Sequence, residues 1–317
     1  MFKFKTPSEK TRKIMSEVAL GNSSTNFEES CIEKIRKLTG KDEVKITTSG
    51  NNSIFIALAS VNGDIIVPDQ GGWHGFKQIA KFLNKNVITL KTDLGLINTE
   101  YLDELDIKEN SALIYTSFAG YCAEQDTKAI AECCKDKNII TIEDASAGIG
   151  DSENRLGKYS DIILASTGSP KIINVGQGGF IATDNSEIFK KTSMPQKLSK
   201  TSEIVCSGID SELDNVSEKL DLTVNATNYL KKYIPNVLHA DKRGINVIIQ
   251  HDDAKSIAWN LKKTLTTDKS GFITTCPNYN RIKQKAIAIE IKNLDYSCLE
   301  KEYLDKIIEE IEINNLL

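Results

Sequence analysis

The chain alternates between two apolar patterns. Short runs rich in Val and Ile recur at residues 44–48, 64–67, 87–90, 112–116, 139–143, 161–165 and 179–183. Each has the length and β-branched content of a strand covered on both faces. Between them, over residues 27–38, 53–59, 74–83 and 127–135, apolar positions fall three and four apart, the spacing that gives a helix one apolar side. Strand and helix in turn predict an α/β unit: a mostly parallel, seven-stranded sheet sandwiched by helices in crossover positions.

The pattern changes after about residue 185. A polar stretch, 191–207, leads into one long helix over 211–233 that Pro235 ends. A strand at 245–250, a helix at 252–265, strands at 271–275 and 285–291 and a terminal helix from Leu299 then predict a small α+β domain. The division is a large domain of residues 1–205, whose N-terminal segment can pack on the small one, and a small domain of residues 206–317 that includes the linking helix.

Composition narrows the function classes. Hydrophobic residues make up 40% and charged residues 26%, an ordinary globular balance, and the net charge of −4 is spread along the chain. No basic footprint for nucleic acid or an anionic membrane is visible. The first residues lack an apolar leader and no stretch approaches the roughly 18 apolar residues of a membrane span, so a cytoplasmic protein is expected. Seven cysteines without a C-x-x-C pair read as reduced thiols, and three histidines without suitably spaced partners predict no metal site.

Candidate chemistry lies at the strand ends, because ligands of parallel α/β sheets bind outside the carboxyl edge. The first strand runs into Ser49, Gly50, Asn51, Asn52 and Ser53 and then an apolar helix, a turn that presents backbone N–H groups and a positive helix end to an anion. The fifth ends in Glu143 and Asp144 among small residues, where a carboxylate can keep a pyridine nitrogen protonated. The sixth leads to Ser166 and Lys171, an amine whose pKa a crevice of low polarity would lower. Taken singly, these have plainer readings: an N-cap, a capping Asp, a surface lysine. No G-x-G-x-x-G follows the first strand and no phosphate-loop motif occurs.

Together these segments resemble the DegT-type sugar aminotransferases, a branch of the pyridoxal 5'-phosphate (PLP) enzymes of fold type I, over about residues 27–184. The resemblance rests on Ser49 and Gly50 before the apolar helix, on the strand 63–68, on Tyr115 to Gly120 with Asp126, Ala129 and Ile130, on Glu143, Asp144 and Ala145, on Ser166 five residues before Lys171, and on Gly176 to Gly179. It implies PLP held as an imine on Lys171, with Asp144 at the ring nitrogen and Ser49, Gly50, Asn51, Asn52 and Ser166 at the phosphate. An aromatic ring on the cofactor is implied after Pro68: Trp73, with His74 as the alternative. Ala147 stands where the family often has Gln or His, and the family's phosphate-reaching Asn is not recognisable in residues 206–210.

The resemblance implies an aminotransferase with an amino-acid donor, a keto-sugar or small keto compound as acceptor, and a homodimer with its sites at the subunit junction. The donor's carboxylate needs a cation, and Arg281, after the loop-like residues 276–280, is the choice, with Arg243 the other arginine of that region. A PLP-dependent lyase or desulfurase, with Cys122 as its cysteine, and a regulatory protein without turnover are the alternatives.

Overall fold

The computed structural model describes residues 1–277 and 281–314. Its first unit contains the helices α1 (Glu9–Ala19), α2 (Phe27–Thr39), α3 (Gly50–Ser60), α4 (Gly75–Phe82), α5 (Thr99–Asp103), α6 (Thr127–Asp136), α7 (Ser186–Lys191), α8 (Ser193–Leu198) and α9 (Glu203–Leu213). Its strands are β1 (Glu43–Thr47), β2 (Ile65–Pro68), β3 (Val87–Leu90), β4 (Ala112–Thr116), the short hairpin pair β5 (Phe118–Ala119) and β6 (Ala123–Glu124), β7 (Ile140–Asp144), β8 (Ile162–Ser166) and β9 (Gly179–Thr183). The second unit follows with α10 (Val216–Tyr233), β10 (Val247–Gln250), α11 (Ala254–Thr264), β11 (Ile273–Cys276), β12 (Ala286–Ile289) and α12 (Lys301–Ile313).

Seven strands form one sheet in the order β1-β9-β8-β7-β4-β2-β3, as the alternating pattern predicts. The five from β8 to β3 are parallel, while β9 runs antiparallel to both β8 and β1. Two reversals leave β1 pointing the same way as β8. The ends of β1, β2, β4, β7 and β8 therefore share one edge of the sheet, and every candidate residue of the first unit follows one of them. Both sheet faces are apolar and buried: Ile163, Ala165, Phe180 and Ala182 pack with α2 and α9, and Ile142, Ile162, Leu164 and Ile181 with α3 and α4.

The long helix expected over 211–233 is two helices, α9 and α10, broken at Asp214 and Asn215. The polar stretch 191–207 holds α8 and the start of α9, where Val205 and Cys206 are buried in the cluster of the large sheet. Apolar packing changes over inside α10. Val216, Leu220 and Val224 belong to the large-sheet cluster, whereas Ala226, Leu230 and Ile234 pack with the small antiparallel sheet β10-β12-β11. The N-terminus joins that second cluster, with the Phe2 ring 5.0 Å from Phe272 and the Lys5 N–H bonded to the Asn293 carbonyl.

Candidate active site

The turn after β1 is built around a close approach. Ser49 caps α3, its hydroxyl accepting from the Asn52 N–H at 3.2 Å, while the Ser53 N–H bonds the Ser49 carbonyl. The N–H groups of Gly50 and Asn51 lie at the positive end of α3, where an anion is favoured, with the Gly50 N–H also facing the Gly178 carbonyl across the Ser49–Gly178 bridge. A Cβ on Gly50 would lie 2.5 Å from the Ser166 Cβ, and one on Gly179 would lie 2.8 Å from the Gly50 nitrogen. Two glycines thus bring the start of α3 against the end of β8. Ser166 stands beside the same N–H groups, its hydroxyl accepting from the Gly168 N–H at 3.2 Å. This cradle fits a phosphate. The Asn52 side chain turns to the Thr48 hydroxyl.

Asp144 ends β7, and adjacent residues of a strand face opposite ways. Glu143 points into the large unit, where its carboxylate accepts from the Ser117 hydroxyl at 2.6 Å and the Gly157 N–H at 2.9 Å. Burial pushes its pKa up to about 7 despite those two bonds. Asp144 faces the other way. Its Oδ1 accepts from the Ser146 hydroxyl at 2.5 Å and the Ser146 N–H at 3.1 Å, while its Oδ2 has no protein partner among the described residues. Ser146 also accepts from the Ser166 N–H at 2.7 Å, so one hydroxyl ties the carboxylate to the phosphate cradle. An Asp fixed by one oxygen and open at the other suits a protonated ring nitrogen.

Lys171 follows Ser166 by a tight turn, and its Nζ donates to the Tyr121 hydroxyl at 3.1 Å. The expectation of a lowered pKa is reversed here. Burial does act downward, but the Tyr121 oxygen and Asp144 outweigh it and hold Lys171 above its ordinary value. Tyr121 shifts oppositely: burial acts upward, yet Lys171 and Lys292 bring its pKa below the ordinary phenol value against Asp144. Tyr121 lies at the tip of the β5–β6 hairpin. Its ring centroid is 5.4 Å from Lys171 Nζ, 5.1 Å from Lys292 Nζ and 5.6 Å from Arg281 Cζ.

Sequence reasoning stopped one residue away, at Cys122. That thiol is buried, points at the Ala119 carbonyl and is pushed up to about 12 by burial, which suits an inert side chain. Lys292 carried no sequence signal, because only tertiary packing distinguishes it from the surface lysines. It is buried, bonds Asn293 Oδ1 at 2.7 Å, and burial lowers it to about 7.

Trp73 borders a cavity of about 30 Å³ with Tyr121, Arg281, Thr116 and Phe118. His74, whose ring is 4.2 Å from Trp73, lines a separate cavity of about 270 Å³ beside Asp69 and Lys283. Arg281 reaches the crevice, and Glu290 neutralises part of its charge by an ion pair; residues 278–280 of the loop before it lie outside the described residues. Arg243 turns away from the crevice, held by Glu124 at 2.5 Å, Asp151 at 2.9 Å and Glu153 at 2.7 Å.

The profile of the DegT/DnrJ/EryC1/StrS aminotransferase family matches residues 8–214, and that of the MJ1341 family C-terminal domain matches residues 217–312. The 3-oxo-glucose-6-phosphate:glutamate aminotransferase of Bacillus subtilis is 28% identical over 195 residues, 57% of this chain and 43% of that protein. The UDP-4-amino-4,6-dideoxy-N-acetyl-beta-L-altrosamine transaminase of Campylobacter jejuni is 26% identical over 194 residues, 58% of this chain and 50% of that one. The chain thus spans about half the length of these curated relatives. A putative sugar aminotransferase from Streptococcus pneumoniae, solved in its PMP form, shares the fold with a TM-score of 0.78 at 12% identity, each chain covered completely. With about two thirds of its length matched by one profile, and with the strand order and turn positions described above, the chain belongs to the DegT/DnrJ/EryC1/StrS aminotransferase family.

Proposed function

We propose that this protein is a PLP-dependent aminotransferase that moves an amino group from an amino-acid donor to a keto-sugar or small keto compound. The observation that carries this reading is the convergence, at one sheet edge, of an amine, an open carboxylate and an anion cradle: Lys171, Asp144, and the α3 N-terminus with Ser166. When bound, PLP supplies an aldehyde that exchanges amines and a ring that withdraws electrons. The chain's own residues have distinct tasks. Ser49, Gly50, Asn51 and Ser166 bind the phosphate, with Asn52 completing the first turn of α3, and Asp144 holds a proton on the ring nitrogen. Lys171 would attach the cofactor and, once displaced, would take and return a proton at the substrate carbon. Trp73 walls the crevice, with His74 packed behind it. Arg281 receives the donor's carboxylate in exchange for part of its bond to Glu290.

Two further readings belong to the proposal. Phe82, paired with Phe55 at 6.2 Å, and Met194 and Leu198 on α8, beside α3, are exposed. This apolar strip supports a homodimer, and sedimentation as a monomer at micromolar concentration with cofactor bound overturns it. Seven free thiols support a reducing cytoplasm, and no helix among the described residues is long and apolar enough to cross a membrane.

The test of the function is chemical. Borohydride reduction of the cofactor-saturated protein, followed by peptide mapping, should place the label on Lys171. A screen of amino donors against keto acids and keto-sugars, read by the cofactor's spectrum, then identifies the pair. Label on another lysine, or none, overturns the reading.

A further inference from the structure

Tyr121 sits in a backbone conformation that favours glycine. Its φ is +66°, the left-handed region, where a Cβ is crowded and glycine is the usual occupant. The turn is closed locally, with Gly120 also at positive φ and the Cys122 N–H on the Ala119 carbonyl at 2.9 Å, and it is fastened from the second unit. The N–H groups of Ile245 and Asn246 both bond the Tyr121 carbonyl, at 2.8 and 3.0 Å. Next to it, Lys231 Nζ bonds the Cys122 carbonyl at 2.7 Å together with the carbonyls of His239 and Lys242. Backbone strain kept in place by such a grip is found where a side chain must be aimed. Here the side chain is aimed at the nitrogen that the proposed function makes reactive.

The charges around the phenol come from every element that packs on it. Lys171 lies on the turn after β8, Asp144 at the end of β7, and Arg281, Lys292 and Glu290 in the second unit. Glu290 pairs with both Arg281 and Lys292, and Asp144 is committed on one side to Ser146. Lys171 and Arg281 are cations beside the ring, and Lys292, which burial brings to about 7, adds a third positive charge only in acid, against two carboxylates that each have other partners. Cations at this distance favour a phenolate.

We propose that Tyr121 is a catalytic residue that shares one proton with Lys171. The phenolate oxygen takes a proton from the Lys171 ammonium, an N–H bond breaking as an O–H bond forms, which leaves a neutral amine and a neutral phenol. The reverse transfer restores the ion pair. Net charge in the crevice is constant throughout, so the amine becomes nucleophilic without a base from solvent. This rests on the reading of Lys171 as the reactive lysine.

Its test uses a signal that does not depend on the cofactor. In a pH titration of the full chain followed by tyrosinate absorbance, one of the nine tyrosines should ionise below the ordinary phenol value of 10.0. Tyr121→Phe should delete that step and leave the remainder of the curve superimposable. Asp144→Asn should move the step to lower pH, because a carboxylate that opposes the phenolate is gone, and this variant keeps the proposal testable if Tyr121→Phe misfolds. With cofactor added, Tyr121→Phe should shift the acid limb of covalent attachment to lower pH, since Lys171 loses the group that raises its pKa; a merely structural role would slow attachment without moving the limb. A titration with no early step, or one unchanged in Tyr121→Phe, overturns the proposal. If the borohydride label maps elsewhere while the early step persists, the assignment of Lys171 fails and the proton-sharing pair stands.

Discussion

Lys5 offers a quantitative test of the seam between the two units. It is fully buried, its Nζ lies 4.5 Å over the Tyr296 ring, and that nitrogen makes no hydrogen bond among the described residues. Burial, with repulsion from Lys292 and Lys219, lowers its pKa from 10.5 to about 7 against the pull of Asp295 and Glu212. Between those values the unfolded chain binds a proton that the folded chain does not, so stability rises with pH across the window and the penalty is complete below it. At about 1.4 kcal/mol per pH unit, a fall from 10.5 to about 7 sets a ceiling of about 5 kcal/mol in acid and of about 2 kcal/mol near pH 9. Lys5→Met keeps an unbranched apolar stem and removes the charge. Urea denaturation should show the variant several kcal/mol more stable than the parent near pH 6, with the gain shrinking towards pH 9 and gone above about 10.5. A gain that does not vary with pH, or a loss in acid, would refute the reasoning, because Lys5 would then not be the group that titrates.

Other perturbations probe the cradle and the two carboxylates. Gly50→Ala puts a Cβ 2.5 Å from that of Ser166, and overpacking of this kind costs about 1–3 kcal/mol; cofactor affinity, read by spectral titration, should fall roughly tenfold or more, and unchanged affinity would place the phosphate elsewhere. Asp144→Asn should keep the Ser146 contact and the fold, yet lower turnover by about 10²–10³, with cofactor affinity falling less; near-native turnover would show the wrong carboxylate was chosen. Glu143 has its pKa raised to about 7 by burial, so the folded chain binds the extra proton between about 4.5 and 7 and stability falls as pH rises through that window. Glu143→Gln should therefore match the parent near pH 5 and exceed it near pH 8 in thermal denaturation, and equal melting curves at both would remove the buried acid from the account.

The large sheet was legible because its strands are apolar on both faces, so each stood out as a run. Residues 87–90, 112–116 and 179–183 are strands over the whole of the expected ranges, and the others are offset by about one residue. Asp144, Ser166 and Ser49 could be found from this alone, since each closes or follows a strand. Tyr121 could not. Its importance comes from a hairpin tip gripped by residues 245–246, and nothing local announces that contact. The linking helix failed differently: α9 contributes Val205, Cys206, Ile209 and Leu213 to the core, but the lysines and serines around its start masked the stripe. In α1 only Thr11 is buried, so the periodicity had almost no apolar signal to carry.

The grip on the hairpin limits how such a protein can diverge. Its two parts match different families, 8–214 and 217–312, which invites the idea of a standard catalytic half joined to an exchangeable tail. Yet Gly244 lies so close to the Cys122 carbonyl that a Cβ would come within 2.4 Å of it, and Lys231, Ile245 and Asn246 fasten the same loop. A C-terminal half grafted from a distant relative would bring its own contacts to this loop and unfasten the hairpin tip. Changes in residues 231–246 are therefore constrained together with those in residues 118–124, and chimeras that fold well should be those whose junction keeps both segments from one parent.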